Sequence, residues 1–257
     1  MNAFVETALE AATAAAEVIR RYYRGEFEVE IKSDDSPVTV ADRESERVIR
    51  ECLLSAFPEH GFYGEETGRS AADADYLWLV DPIDGTKSFV AGYGMFSTQI
   101  ALMHRGRLIA GVSSAPAHDE MAWAAMGEGA FLNGEPIRMR RCESIGDAAV
   151  STGNIQSLAA SARWACLGDI LAAVNRTRGY GDYYHYHRLA AGQIDAVIES
   201  DVNILDIAAL AVIVEEAGGR FTDLDGAPLT LETRSVLAAT PALHADLLLR
   251  LNPENSS

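Results

Sequence analysis

The stretch Leu77-Trp78-Leu79-Val80-Asp81-Pro82-Ile83-Asp84-Gly85-Thr86 constrains this chain more than any other. Apolar residues that run without alternation are the pattern of a strand buried on both faces, and this run stops at a carboxylate. Pro82 donates no backbone hydrogen bond and sets a turn, so Asp84 returns close to Asp81. Gly85 and Thr86 then open a helix whose free N–H groups face the same place, and a helix N-terminus attracts phosphate. Two carboxylates beside an anion cradle repel the anion unless hard cations lie between them. Mg²⁺, held by carboxylates together with a substrate phosphate, meets that need. The plainer reading makes Asp84 a helix cap and Asp81 the end of a strand. Other acids in the chain, set out below, weigh against it.

Composition bounds the rest. A chain of 257 residues suits one large domain or two packed halves and buries a sizeable core. Hydrophobic content of 48% with 23% charged residues is that of a soluble globular protein. The net charge of −17 argues against a nucleic-acid surface; it favours cations as partners and also serves solubility. Cys52, Cys142 and Cys166 are widely spaced and show no metal or redox pattern, so buried, inert thiols are expected. The opening residues carry Glu6, Glu10 and Glu17 and lack the basic start of a secretory signal. No apolar run reaches the roughly 18 residues that span a bilayer, so a cytoplasmic protein without membrane partners is the expectation.

Phe4, Val5, Ala8, Leu9, Ala12, Ala15, Ala16 and Ile19 recur at helical spacing, which predicts an amphipathic helix ending between Tyr22 and Gly25. A strand at 27–31 and a polar loop at 32–37 follow, then a second helix with Thr39 and Asp42 placed as a capping box and Pro58 as its stop. Gly61–Glu66 puts two acids at a strand end. Strands at 97–103 and 107–113 flank a glycine turn, and Asn133-Gly134 is a hairpin signal. Beyond residue 145 the rhythm changes to alternating short strands and longer helices, with a helix over 157–174 and another from Asp206 to Ala217. This places an N-terminal half at 1–145, with most of the acids of interest, and a C-terminal half at 146–257 that carries Asp206.

Glu65, Asp81, Asp84 and Asp206 each begin or end a regular element, where ligands on rigid supports belong. Asp206 alone reads as an N-cap. Gly64-Glu65-Glu66, Asp81-Pro82-Ile83-Asp84-Gly85-Thr86, and Leu205-Asp206-Ile207-Ala208-Ala209 followed by Glu216-Ala217-Gly218-Gly219 resemble the signature segments of the inositol-monophosphatase-like family of Mg²⁺-dependent, lithium-sensitive phosphatases. Within it, Lys32-Ser33, Ser36-Pro37-Val38-Thr39, Pro58-Glu59-His60-Gly61, Lys87-Ser88-Phe89 and Gly181-Asp182-Tyr183-Tyr184 are most similar to the histidinol-phosphate phosphatases. Leu205, where the family usually has an aromatic residue, and Gly94-Met95-Phe96-Ser97 depart from its pattern.

The resemblance implies an α+β fold layered as an αβαβα sandwich, a homodimer, and hydrolysis of a small phosphate monoester with two or three Mg²⁺ ions per site. Pairs of metals act by clamping attacking and leaving oxygens. It further implies Glu65, Asp81, Asp84, Asp206 and the Ile83 carbonyl as metal ligands, with Glu65, Thr86 and Asp42 as catalytic groups. The N–H groups of Gly85 and Thr86 would cradle phosphate, and Asp84, Gly181, Asp182 and Glu199 would bind substrate. Two acids, Asp182 and Glu199, suit the ammonium or imidazolium of histidinol phosphate, though an acid also binds sugar hydroxyls. An inositol-1-phosphatase, a nucleotide 3′-phosphatase and a catalytically quiet metal-binding regulator are the competing readings.

Overall fold

The computed structural model describes residues 2–23, 25, 29–31, 37–71 and 73–253. Its contacts gather into two compact units, Met1–Glu135 with Leu205–Ile213, and Pro136–Ile204 with Val214–Ser257. The sequence-based boundary at 145 falls inside the second unit, and Asp206 falls inside the first.

The first unit opens with α1 (Ala3–Tyr22), whose N-cap Asn2 accepts the Val5 N–H and whose buried face includes Val5, Ala8, Ala12, Ala15 and Ile19. Strands β1 (Val29–Ile31) and β2 (Pro37–Thr39) pair antiparallel. Phe27 and the polar loop at 32–36 lie outside the described residues. The capping box then starts α2 (Val40–Ala56): Asp42 accepts the Thr39 N–H at 2.7 Å, and Thr39 accepts the Ala41 N–H at 3.1 Å.

Next come β3 (Gly61–Gly64), β4 (Gly68–Ser70), β5 (Tyr76–Asp84), the short α3 (Thr86–Val90), β6 (Ser97–His104), β7 (Arg107–Ala115), β8 (Glu120–Ala125), β9 (Gly129–Leu132) and β10 (Glu135–Ile137). They form a sheet of order β10-β9-β8-β7-β6-β5-β3-β4, with β3 parallel to β5. Arg105-Gly106 and Asn133-Gly134 have positive φ at both positions, the geometry that two-residue hairpin turns demand. Val5 and Ala12 of α1 and Ile49 and Leu53 of α2 pack with Phe62, Trp78 and Val80 in one core. The alternate strand residue Leu79 is fully buried as well, which accounts for the unbroken apolar run.

In the second unit, β11 (Ala149–Gly153), α4 (Ile155–Ala160), α5 (Trp164–Ala173), β12 (Arg176–Arg178), α6 (Asp182–Ala190) and β13 (Ala196–Ser200) precede α7 (Ile204–Glu216), β14 (Arg220–Thr222), β15 (Ser235–Ala239) and α8 (Pro241–Leu251). The sheet order is β12-β11-β13-β15-β14; β11 is parallel to β12 and β13, and β15 antiparallel to β13 and β14. Val150, Ile198 and Leu237 pack with Leu167, Leu243 and Leu247. The helix expected over 157–174 is two helices, because the chain leaves helical geometry at Ser161. The three-residue β12 is too short to leave a periodic signal. Cys52 and Cys166 are half-buried and only Cys142 is buried, so two of the three thiols are more open than expected. Among the described residues no helix is long and apolar enough to cross a membrane.

Candidate active site

Strand β5 carries the centre of the site. It does not end at Asp81: it continues through Pro82 to Asp84, with the register against β6 shifting between the two aspartates. A bulge of this kind accommodates proline, which has no N–H to give to the ladder. Asp81 Oδ1 accepts the Ile83 N–H at 2.9 Å, and the Thr98 hydroxyl donates to the Pro82 carbonyl at 2.8 Å, so the bulge is held from both sides. Gly85 then turns at φ 90°, and a Cβ there would lie 2.6 Å from the Met95 carbonyl, which restricts the position to glycine. Helix α3, which Gly85 and Thr86 open as expected, has five residues.

Carboxylate oxygens of Asp81, Asp84 and Asp206 lie within 4.8 Å of one another. Asp206 reaches them from the first turn of α7, two residues inside the helix and not at its N-cap. The segment Leu205–Ile213 comes this close because Gly111 of β7 has no side chain: a Cβ there would meet the Ala209 carbonyl oxygen at 2.5 Å. Glu65 follows β3 directly, and its N–H extends the parallel ladder to the Val80 carbonyl at 3.1 Å.

Asp81 is 3% exposed. Burial holds its carboxyl well above the usual carboxylate range, and the like charges of Glu65, Asp84 and Asp206 push it further the same way. Clustered buried acids are costly unless protons or a cation offset them. The donor set is all oxygen, which fits hard divalent cations such as Mg²⁺ and not metals that prefer nitrogen or sulfur. Asp42 is also fully buried; its pKa is raised by burial and by Glu65, against hydrogen bonds from Thr39 and Thr86 that lower it. The Thr86 hydroxyl lies 3.0 Å from the Ile83 carbonyl and 3.2 Å from Asp42 Oδ1, and its single proton serves one of them at a time. Asp42, Thr86 and Ile83 thus belong to the same cluster as the acids.

The second unit gathers the remaining candidates, Gly181, Asp182 and Glu199. Gly181, at φ 71°, precedes α6, and Asp182 is its first residue. Burial, then Glu199, pushes Asp182 up to about 6. Glu199 Oε2 accepts the Tyr186 hydroxyl at 2.6 Å and lies 3.1 Å from His185 Nε2, while a Cβ on Gly153 would fall 1.9 Å from Glu199 Oε1. Gly181 and Asp182 border a cleft of about 570 Å³ that also includes Gly153 and Tyr180.

Sequence reasoning missed three residues around the carboxylates. Gln99 is fully buried opposite Asp81 in the β5–β6 register and donates to Ser97 at 2.7 Å and Ser113 at 3.1 Å. Glu46 packs against Gly64, and Gly111 admits the segment bearing Asp206. Only Glu46 had a readable signal, since it stands four residues after Asp42 on the same helical face.

Comparison with known proteins shows the family to which the chain belongs. The model of the inositol monophosphatase family matches residues 1–256. The chain is 38% identical over 252 residues to a histidinol-phosphatase of Mycobacterium tuberculosis, covering 95% of this chain and 96% of that protein. It is also 38% identical over 239 residues to the chloroplastic bifunctional phosphatase IMPL2 of Arabidopsis thaliana, covering 89% of this chain but only 66% of that longer protein. The crystal structure of extragenic suppressor protein SuhB from Bartonella henselae superposes with a TM-score of 0.89 at 30% identity, over 97% of this chain and 98% of that one. By its sequence, its α+β fold and its clustered acids, this chain belongs to the inositol monophosphatase family and is a phosphoric monoester hydrolase.

Proposed function

We propose that the chain is a Mg²⁺-dependent phosphomonoesterase that converts histidinol phosphate and water to histidinol and phosphate, acting as a cytoplasmic homodimer in histidine biosynthesis. The observation that carries the metal-dependent part is Asp81, whose carboxylate lies within 4.8 Å of those of Asp84 and Asp206 and whose pKa is driven up first by burial and then by the charges of Glu65, Asp84 and Asp206. Glu65, Asp81, Asp84, Asp206 and the Ile83 carbonyl would hold two or three Mg²⁺ ions. When bound, these supply positive charge that offsets the phosphate and polarises the reacting oxygens.

The protein's own groups do the rest. Gly85 and Thr86 N–H groups orient the phosphate. Water attacks phosphorus in line with the ester oxygen, the phosphorus–ester oxygen bond breaks, and the leaving oxygen takes up a proton from solvent to depart as the alcohol. Glu65 takes the proton from the attacking water, directly or through the Thr86 hydroxyl, which Asp42 orients.

Substrate choice rests on Asp182 and Glu199, two interacting acids suited to a cationic alcohol, with Gly181 and Asp84 as further contacts. The 38% identity to a histidinol-phosphatase supports the same reading. An inositol-1-phosphatase is the second reading, favoured by the description of the matching family; a nucleotide 3′-phosphatase stands behind it. The test is phosphate release from histidinol phosphate, inositol 1-phosphate and adenosine 3′,5′-bisphosphate, each with Mg²⁺ and with EDTA. Mg²⁺-dependent release fastest from histidinol phosphate is expected. Preference for another ester moves the assignment within the family, and no release from any of them leaves a catalytically quiet metal-binding protein.

A further inference from the structure

Helix α2 buries two carboxylates one turn apart, Asp42 and Glu46, and the function proposed above uses only the first. Glu46 is 1% exposed, yet among the described residues its carboxylate is held by backbone donors: Oε2 accepts the Glu66 N–H at 2.7 Å and Oε1 the Thr67 N–H at 2.9 Å. The chain wraps around this carboxylate. On the other side of Glu65, a Cβ on Gly64 would lie 2.5 Å from Glu46 Cδ, so only glycine lets the backbone close over it. Glu65 itself donates its N–H to Val80 at 3.1 Å. The backbone of Glu65 is therefore pinned just before it by the strand ladder and just after it by two charge-assisted hydrogen bonds.

A carboxylate is an unexpected choice for that clamp. Five other acids, Asp42, Glu65, Asp81, Asp84 and Asp206, already make up the cluster, and Glu65 raises the pKa of both Asp81 and Asp42. Another negative charge adds to the repulsion that drives Glu65 away from Asp81. What it provides in return is strength, because hydrogen bonds to an ionised acceptor are about twice as strong as neutral ones. We infer that Glu46 is a positioning residue for the metal centre: by clamping the N–H groups of residues 66 and 67, it holds Glu65 beside Asp81 before any cation arrives. This rests on the reading of Glu65 and Asp81 as metal ligands. Groups that orient metal ligands typically change metal affinity by roughly 10–100-fold when altered.

The experiment compares wild-type protein with E46Q, E46D and the control E51Q, whose Glu51 lies exposed on the same helix beside Arg47. Mn²⁺ binding without substrate is followed by electron paramagnetic resonance, folding by circular dichroism melts, and phosphate release from histidinol phosphate as a function of Mg²⁺. E46Q keeps the shape but presents an amide N–H to one of the two donors. E46D keeps the charge but withdraws it by one methylene. Both are expected to weaken Mn²⁺ binding and raise the half-saturating Mg²⁺ concentration by about 10-fold or more, with KM for the ester at saturating Mg²⁺ within about 3-fold of wild type. E51Q is expected to change neither.

Unaltered Mn²⁺ affinity in E46Q overturns the inference. So does weakening in E46Q alone with E46D at the wild-type value, which would make the effect one of charge and not position. Loss of the folded state in both variants also overturns it, since Glu46 would then be a residue of the fold. Wild-type protein that neither binds Mn²⁺ nor needs Mg²⁺ for phosphate release refutes the metal centre itself and takes this inference with it.

Discussion

Asp81 in the first unit and Asp195 in the second are both buried carboxylates, with opposite surroundings. Asp195 is fully buried and the chain brings it a counter-charge: Arg140 donates through both Nε and Nη2, and the Ala149 N–H adds a bond of 2.7 Å. Asp81 accepts one N–H, from Ile83, and its pKa is raised first by burial and then by three further acids. An acid that holds structure together is neutralised internally. An acid kept among its own kind stores repulsion that a ligand from outside can relieve, and such sites trade stability for function.

The widest separation between the two sites is expected from exchanging one acid of each, Asp84 and Asp195, for its amide. Asp84→Asn should lower Mg²⁺-dependent phosphate release by about 10³-fold or more, since it removes a ligand from a centre worth several kcal/mol to the transition state. In the same variant the metal-free protein should melt no lower than wild type, because one of the mutually repelling charges is gone. Undiminished phosphate release would end the comparison. Next in size, Mg²⁺ at about 100 times its dissociation constant should stabilise wild type by about 2.7 kcal/mol over EDTA-treated protein in urea denaturation, and Asp84→Asn should show a much smaller gain.

Asp195→Asn should do the reverse of Asp84→Asn. Breaking a buried ion pair costs about 3–5 kcal/mol, and Arg140 is half-exposed and partly screened, so about 2 kcal/mol is expected. Its half-saturating Mg²⁺ concentration should stay at the wild-type value; a parallel loss of metal affinity would blur the distinction.

The smallest effect concerns Asp182, whose folded-state pKa of about 6 stands above the ordinary value of 3.8. Between those values the folded protein holds more protons than the unfolded one, so this group favours folding increasingly as pH falls through about 6, and disfavours it above. Only the ionised form attracts a cation. KM for histidinol phosphate should therefore fall a few-fold as pH rises through about 6, and Asp182→Asn should flatten that dependence. A KM profile unchanged by the substitution would separate Asp182 from substrate recognition.

Much of this architecture was legible along the chain. The capping box of Thr39 and Asp42, the Arg105-Gly106 and Asn133-Gly134 turns and the doubly buried strand ending in acids are local patterns, and each appears where the pattern stands. The errors are local too. Pro82 reads as a turn but sits in a bulged strand, because the β6 partner supplies Thr98 to satisfy its carbonyl. Asp206 reads as a cap but lies inside α7, because Ile204 and Leu205 are buried and join the helix ahead of it.

From the sequence alone came most of the elements and the inventory of acids, since periodicity, caps and turns depend on residues only a few positions apart. Which of those acids meet was decided by tertiary structure: by Gly111 admitting the backbone of Ala209 and with it Asp206, and by Gly64 closing over Glu46 so that Glu65 stands next to Asp81. Such meetings depend on the space a missing Cβ leaves between segments far apart in the chain, and no local pattern records that distance.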